Sequence, residues 1–89
     1  MTVTSTTNSN APNNKLVSLN FGTFTNAQVT VNGQPVSSGQ PVSLPSSPVS
    51  QTFSVTRATP GQATNVPLTV VDSCGSWPTF VGGGPGAGF

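Results

Sequence analysis

Three residues have the types needed for a self-contained covalent reaction: the amine of Lys15 on a first strand, the carboxamide of Asn65 near a last strand, and the carboxylate of Asp72. Held together in a core, such a trio can form an intramolecular isopeptide bond. The simpler reading makes Lys15 a solvated lysine at a strand start and Asp72 an acceptor of turn hydrogen bonds from the Cys74 or Gly75 amides. Beyond these the chemical inventory is short, with no His, no Tyr and a single acidic residue. One carboxylate excludes paired-carboxylate acid–base chemistry, and a Ser or Cys nucleophile has no imidazole base. Zinc and calcium sites need several His, Cys or carboxylate ligands, so neither a metal nor a cofactor is expected and the chain reads as a non-enzyme.

Cys74 is the only cysteine, which excludes a disulfide within the chain. No His, Lys or Arg lies beside it in sequence to stabilise a thiolate. It is expected to be a buried small hydrophobe, with an intermolecular disulfide as the alternative. Trp77, Phe80 and Phe89 are the candidate ligand-binding residues, because aromatic rings on a flat strand face stack on sugar rings. The competing role for a lone Trp in a small sandwich is the core. The segment Gly82-Gly83-Gly84-Pro85-Gly86 follows no strand-to-helix transition and carries no Lys, so it is not a phosphate-binding loop.

Composition sharpens these exclusions. Charged residues make up 3% of the 89-residue chain, against roughly 25% in ordinary soluble domains, and they are Lys15, Arg57 and Asp72. Two cations cannot supply the phosphate contacts that nucleic acid requires. No apolar run approaches the roughly 20 residues that span a bilayer, so membrane insertion is not expected, and the first residues lack the basic start and apolar stretch of a signal peptide. The chain is expected to be soluble, and either mature, excised from a longer protein, or cytoplasmic. A surface of uncharged Ser, Thr, Asn and Gln suits a secreted or cell-surface β-protein. It also lacks the charges that keep sheet edges from pairing with other chains.

The elements that must position these residues are strands. Residues 1–14 have the composition of a flexible arm, although Thr2-Val3-Thr4-Ser5-Thr6-Thr7 has the β-propensity to add to a sheet edge, its own or a neighbour's. From Lys15 the pattern has period two, with Val17, Leu19 and Phe21 on one face and Leu16, Ser18 and Asn20 on the other. Gln28 to Val31 runs into Asn32-Gly33, the pair best suited to a type I′ turn. Pro35 restricts the returning segment to a short or edge strand. Pro41 to Leu44 makes another short strand. Gln51 to Arg57 alternates, with Phe53 and Val55 inward, and Thr59-Pro60-Gly61-Gln62 suits a type II turn. Asn65 to Val71 directs Val66, Leu68 and Val70 to one face, and Trp77 to Val81 is a last strand. Proline and glycine recur too often for a helix.

This pattern predicts an all-β fold, a small antiparallel β-sandwich of immunoglobulin-like type with six or seven short strands over residues 15–81, followed by a Gly-rich tail at 82–89. With no disulfide or metal, so small a core is expected to lean on an adjoining surface, either a neighbouring domain or identical subunits.

The succession Phe53-Ser54-Val55-Thr56-Arg57, then Gly61, then Val66 to Val70, then Cys74-Gly75-Ser76-Trp77-Pro78-Thr79-Phe80-Val81-Gly82-Gly83-Gly84 resembles the C-terminal end of large secreted bacterial proteins. There, small immunoglobulin-like or fibronectin-like sandwiches follow a catalytic or adhesive region. The resemblance implies a non-catalytic extracellular accessory module, structural or docking. The alternatives are a self-assembling subunit of an extracellular fibre or shell that exchanges its N-terminal arm, and a polysaccharide-binding module using Trp77.

Overall fold

A computed structural model describes residues 1–7 and 13–86. Among the described residues lie eight strands and no helix: β1 (Thr2–Thr6), β2 (Leu16–Phe21), β3 (Ala27–Val31), β4 (Gln34–Val36), β5 (Pro41–Ser43), β6 (Ser50–Arg57), β7 (Thr64–Asp72) and β8 (Gly75–Gly83). They form two four-stranded antiparallel sheets, ordered β1-β6-β3-β4 and β5-β2-β7-β8. The strand count exceeds the expected six or seven because the Thr-rich segment pairs along β6, from Thr2 opposite Ser54 to Thr6 opposite Ser50. The last strand is also longer than Trp77 to Val81, since β8 begins at Gly75 and continues through Gly83.

The core lies between the sheets and is built from alternate residues. Strand β7 shows this most clearly, because Thr64, Val66, Leu68, Val70 and Asp72 are buried and the residues between them are half-buried. Facing them from the other sheet are Val29, Val31, Phe53 and Val55. Phe21 meets Phe53 edge to face with ring centroids 5.5 Å apart, a geometry that places a ring edge against a π face.

Strand β2 departs from its predicted face. The ladder with β7 slips between Leu16 and Ser18, and this β-bulge adds one residue to the strand. Leu16 is thereby fully buried and Val17 is 49% exposed, the reverse of the strict alternation read from the sequence. Leu19 and Phe21, beyond the bulge, share one face as expected, and both are buried.

The turns follow their residue chemistry. Asn32 and Gly33 both have positive φ, 52° and 77°, as a type I′ turn demands, and they join β3 to β4. Gly61 at φ 82° fits the third position of the type II turn at Thr59–Gln62. Asn26, itself at φ 51°, braces that turn from just before the adjacent strand β3. Its Nδ2 donates to the Thr59 and Gln62 carbonyls at 2.9 and 3.2 Å, and its Oδ1 accepts from the Thr59 amide at 2.7 Å.

Candidate functional site

Antiparallel pairing sets the geometry around Phe80. Pro67 lies opposite Phe80 and Thr69 opposite Pro78 across the β7–β8 ladder. Successive residues of a strand point to opposite faces, so Pro67, Pro78 and Phe80 share the outer face, and Trp77 and Val81 turn toward the core, against which both pack half-buried. The backbone of β7 confirms this phase. The Pro67 carbonyl accepts from the Gly22 amide at 2.8 Å, and Asn65 exchanges both backbone bonds with Thr25, so the odd-numbered β7 groups point away from β8.

Phe80 is 67% exposed, the largest exposure of any bulky apolar side chain among the described residues. With Asn65, Pro67, Pro78 and Thr79 it lines an open depression of about 540 Å³. Gly82 lies opposite Asn65 across the ladder. A Cβ there would sit 2.8 Å from Asn65 Oδ1 and 2.9 Å from the Thr64 carbonyl, so only glycine lets the Asn65 carboxamide lie across the strand. The depression therefore offers one phenyl face, two proline rings and one carboxamide, with no charged group lining it. Such a surface can hold a neutral ligand by contact and hydrogen bonding.

The residues singled out from the sequence are not brought together. Trp77 and Phe80 lie on opposite faces of β8, so they do not form one stacking platform. Phe89 lies outside the described residues. Cys74 is exposed rather than buried. It occupies the two-residue turn between β7 and β8, where Asp72 pairs with Gly75, and its amide donates to Asp72 Oδ1 at 2.9 Å. A side chain at that turn projects away from both sheets, which is why its apolar character does not draw it inside.

The trio Lys15, Asn65 and Asp72 is also split. Leu16 pairs with Asp72 at one end of the β2–β7 ladder, whereas Asn65 meets Thr25 at the other. Seven residues of strand separate Asn65 from Asp72, about 23 Å at roughly 3.3 Å per residue. No isopeptide bond can form across that span. Asp72 instead serves the fold: it is 5% exposed, caps the turn, and accepts from Asn14 Nδ2 at 3.1 Å. Nothing in the sequence pairs Asn14 with a residue 58 positions away.

Arg57 has a role that sequence reasoning missed. Its Nε donates to Thr64 Oγ1 at 3.0 Å, its Nη1 to the Pro85 carbonyl at 2.7 Å and its Nη2 to the Gly84 carbonyl at 2.6 Å. One guanidinium thus ties the end of β6, the start of β7 and the glycine-rich segment after β8. The planar fork of donors suits carbonyls converging from different directions. Among the described residues no group of three His, Cys, Asp or Glu side chains gathers to hold a metal ion. No family model, curated protein or solved structure matches the chain.

Proposed function

We propose that the chain is a non-catalytic, immunoglobulin-like β-sandwich module of a secreted or cell-surface bacterial protein, acting as structural support or docking unit. The observation that carries this reading is the use of two of the three charged side chains. Arg57 is committed to backbone carbonyls and Asp72 to a turn amide and a buried carboxamide. Both side chains hold the fold together. The immunoglobulin-like assignment is supported by two antiparallel layers between which the chain crosses at β1–β2, β2–β3, β4–β5, β5–β6 and β6–β7, with hairpins only at β3–β4 and β7–β8.

The test is thermal unfolding against a panel of divalent metals, nucleotides and soluble polysaccharides. A ligand that binds the folded state at a hundred times its Kd adds about 2.7 kcal/mol, several degrees in midpoint for a domain of this size. The structural reading predicts an unmoved midpoint throughout. A polysaccharide that raises it and shifts the Trp77 emission identifies a binding module instead. For location, an antibody against the chain is expected to label the medium or surface of intact source cells, and labelling only after lysis contradicts it.

A further inference from the structure

Strand β1 is built into its sheet in a way that leaves it transferable. It joins the outer edge of β6 through its backbone, with Met1 and Val55 exchanging two 2.8 Å bonds and the Thr7 amide donating to the Val49 carbonyl at 3.1 Å. Only Val3 reaches the core, and only partly; Thr2, Thr4 and Thr6 are exposed. The strand pairs with a partner distant in sequence, since Met1 bonds to a residue 54 positions away.

The exit geometry supports the same conclusion. Thr7 is anchored at Val49 and Leu16 at Pro48, so the two ends of the connection between β1 and β2 are held at adjacent residues. Eight residues, 8–15, join those ends. Fully extended, eight residues reach about 27 Å. Neither β1 nor β6 carries a charge except Arg57 at the far end of β6, beyond the last β1 pair, so no charged side chain opposes a second chain at this edge.

From these observations we infer that β1 exchanges between two copies of this chain, each donating residues 2–6 to the free edge of the other's β6. The occupant of the edge is settled by the strand seated there already, because the exchanged pairing reproduces every β1–β6 contact and changes only the connection. This deepens the structural reading above by naming the partner, a second copy.

The register supplies the test. Since Met1 and Val55 are a hydrogen-bonded pair, Thr4 and Thr52, three pairs along, are a non-hydrogen-bonded one. Such a pair has Cα atoms about 4.5 Å apart, within the range a disulfide spans, and both threonines are exposed. Two variants, Thr4→Cys and Thr52→Cys, each with Cys74→Ser and tags of different size, are unfolded together, refolded and oxidised. The expected product is a covalent heterodimer on a non-reducing gel. Its yield is expected on the order of a hundredfold above that of Thr4→Cys mixed with Ser46→Cys, a chance-collision reference on an exposed turn. Equal yields from the two mixtures overturn the proposal. The double variant Thr4→Cys, Thr52→Cys with Cys74→Ser verifies the register by closing within one chain at high dilution. The cross-link reports exchange alone and the ligand panel reports binding, so either reading can fail without the other.

Discussion

Strands β1 and β8 are both edge strands of the same sandwich, yet they are attached in different ways. β8 follows β7 through the two residues Ser73 and Cys74 and pairs with it at nine positions. It lays Trp77 and Val81 on the core, and Arg57 fastens the chain just beyond its end. β1 pairs at five positions with a strand distant in sequence and contributes Val3 alone. Closing a two-residue turn costs little conformational entropy, and recruiting a strand from the far end of the chain costs more. One edge is therefore integral to the fold, and the other is an addition to it.

Deletion is the harshest way to break that comparison. Removing residues 75–83 uncovers β7, whose Val66, Leu68 and Val70 are core, and is expected to abolish a cooperative urea transition. Removing residues 1–7 is expected to leave that transition cooperative and lower stability by about 2 kcal/mol, one partly buried Val and a few net hydrogen bonds less the recovered chain entropy. Cooperative unfolding after the first deletion, or its loss after the second, reverses the order of the two edges.

Single substitutions sharpen it further. Gly82→Ala on β8 drives a methyl into Asn65 Oδ1 and the Thr64 carbonyl, an overpacking expected to cost about 1–3 kcal/mol in urea denaturation. Val3→Ala on β1 removes a half-buried side chain and is expected to cost about 1 kcal/mol or less. A Val3 effect larger than that of Gly82 shows that β1 is part of the core.

Much of the sandwich was legible from local chemistry. Asn32-Gly33, Pro60-Gly61 and the alternation of Val66, Leu68 and Val70 each specify their conformation within a few residues, and the structure has them as read. Val17 does not share the face of Leu19 and Phe21, because a bulge is a property of the ladder, decided by the neighbouring strand, and Leu16 fits the inward position as well as Val17 does. Cys74 is exposed because the two-residue turn that carries it outweighs its apolar residue type. The Arg57 bonds to Gly84 and Pro85, the Asn26 brace and the Asn14–Asp72 bond join residues 27 or more positions apart, and no spacing rule reaches that far. The depression around Phe80 was half visible: Phe80 was a candidate, and the period-two rule could have separated it from Trp77 and paired it with Pro78.

Native-state hydrogen exchange tests the difference between the two edges most directly. The Val55 amide donates to the carbonyl of Met1, the residue before β1, and the Val70 amide lies in the hydrogen-bonded pair with Trp77 in β8. Both residues are buried to the same degree, so unequal protection reports the attachment of the edge strand and not its depth. The expectation is that Val55 exchanges through a local opening that releases β1, at a free energy well below that of global unfolding, and that Val70 exchanges only when the whole domain unfolds. Equal protection at the global value for both amides contradicts a detachable β1 and, with it, strand exchange between copies.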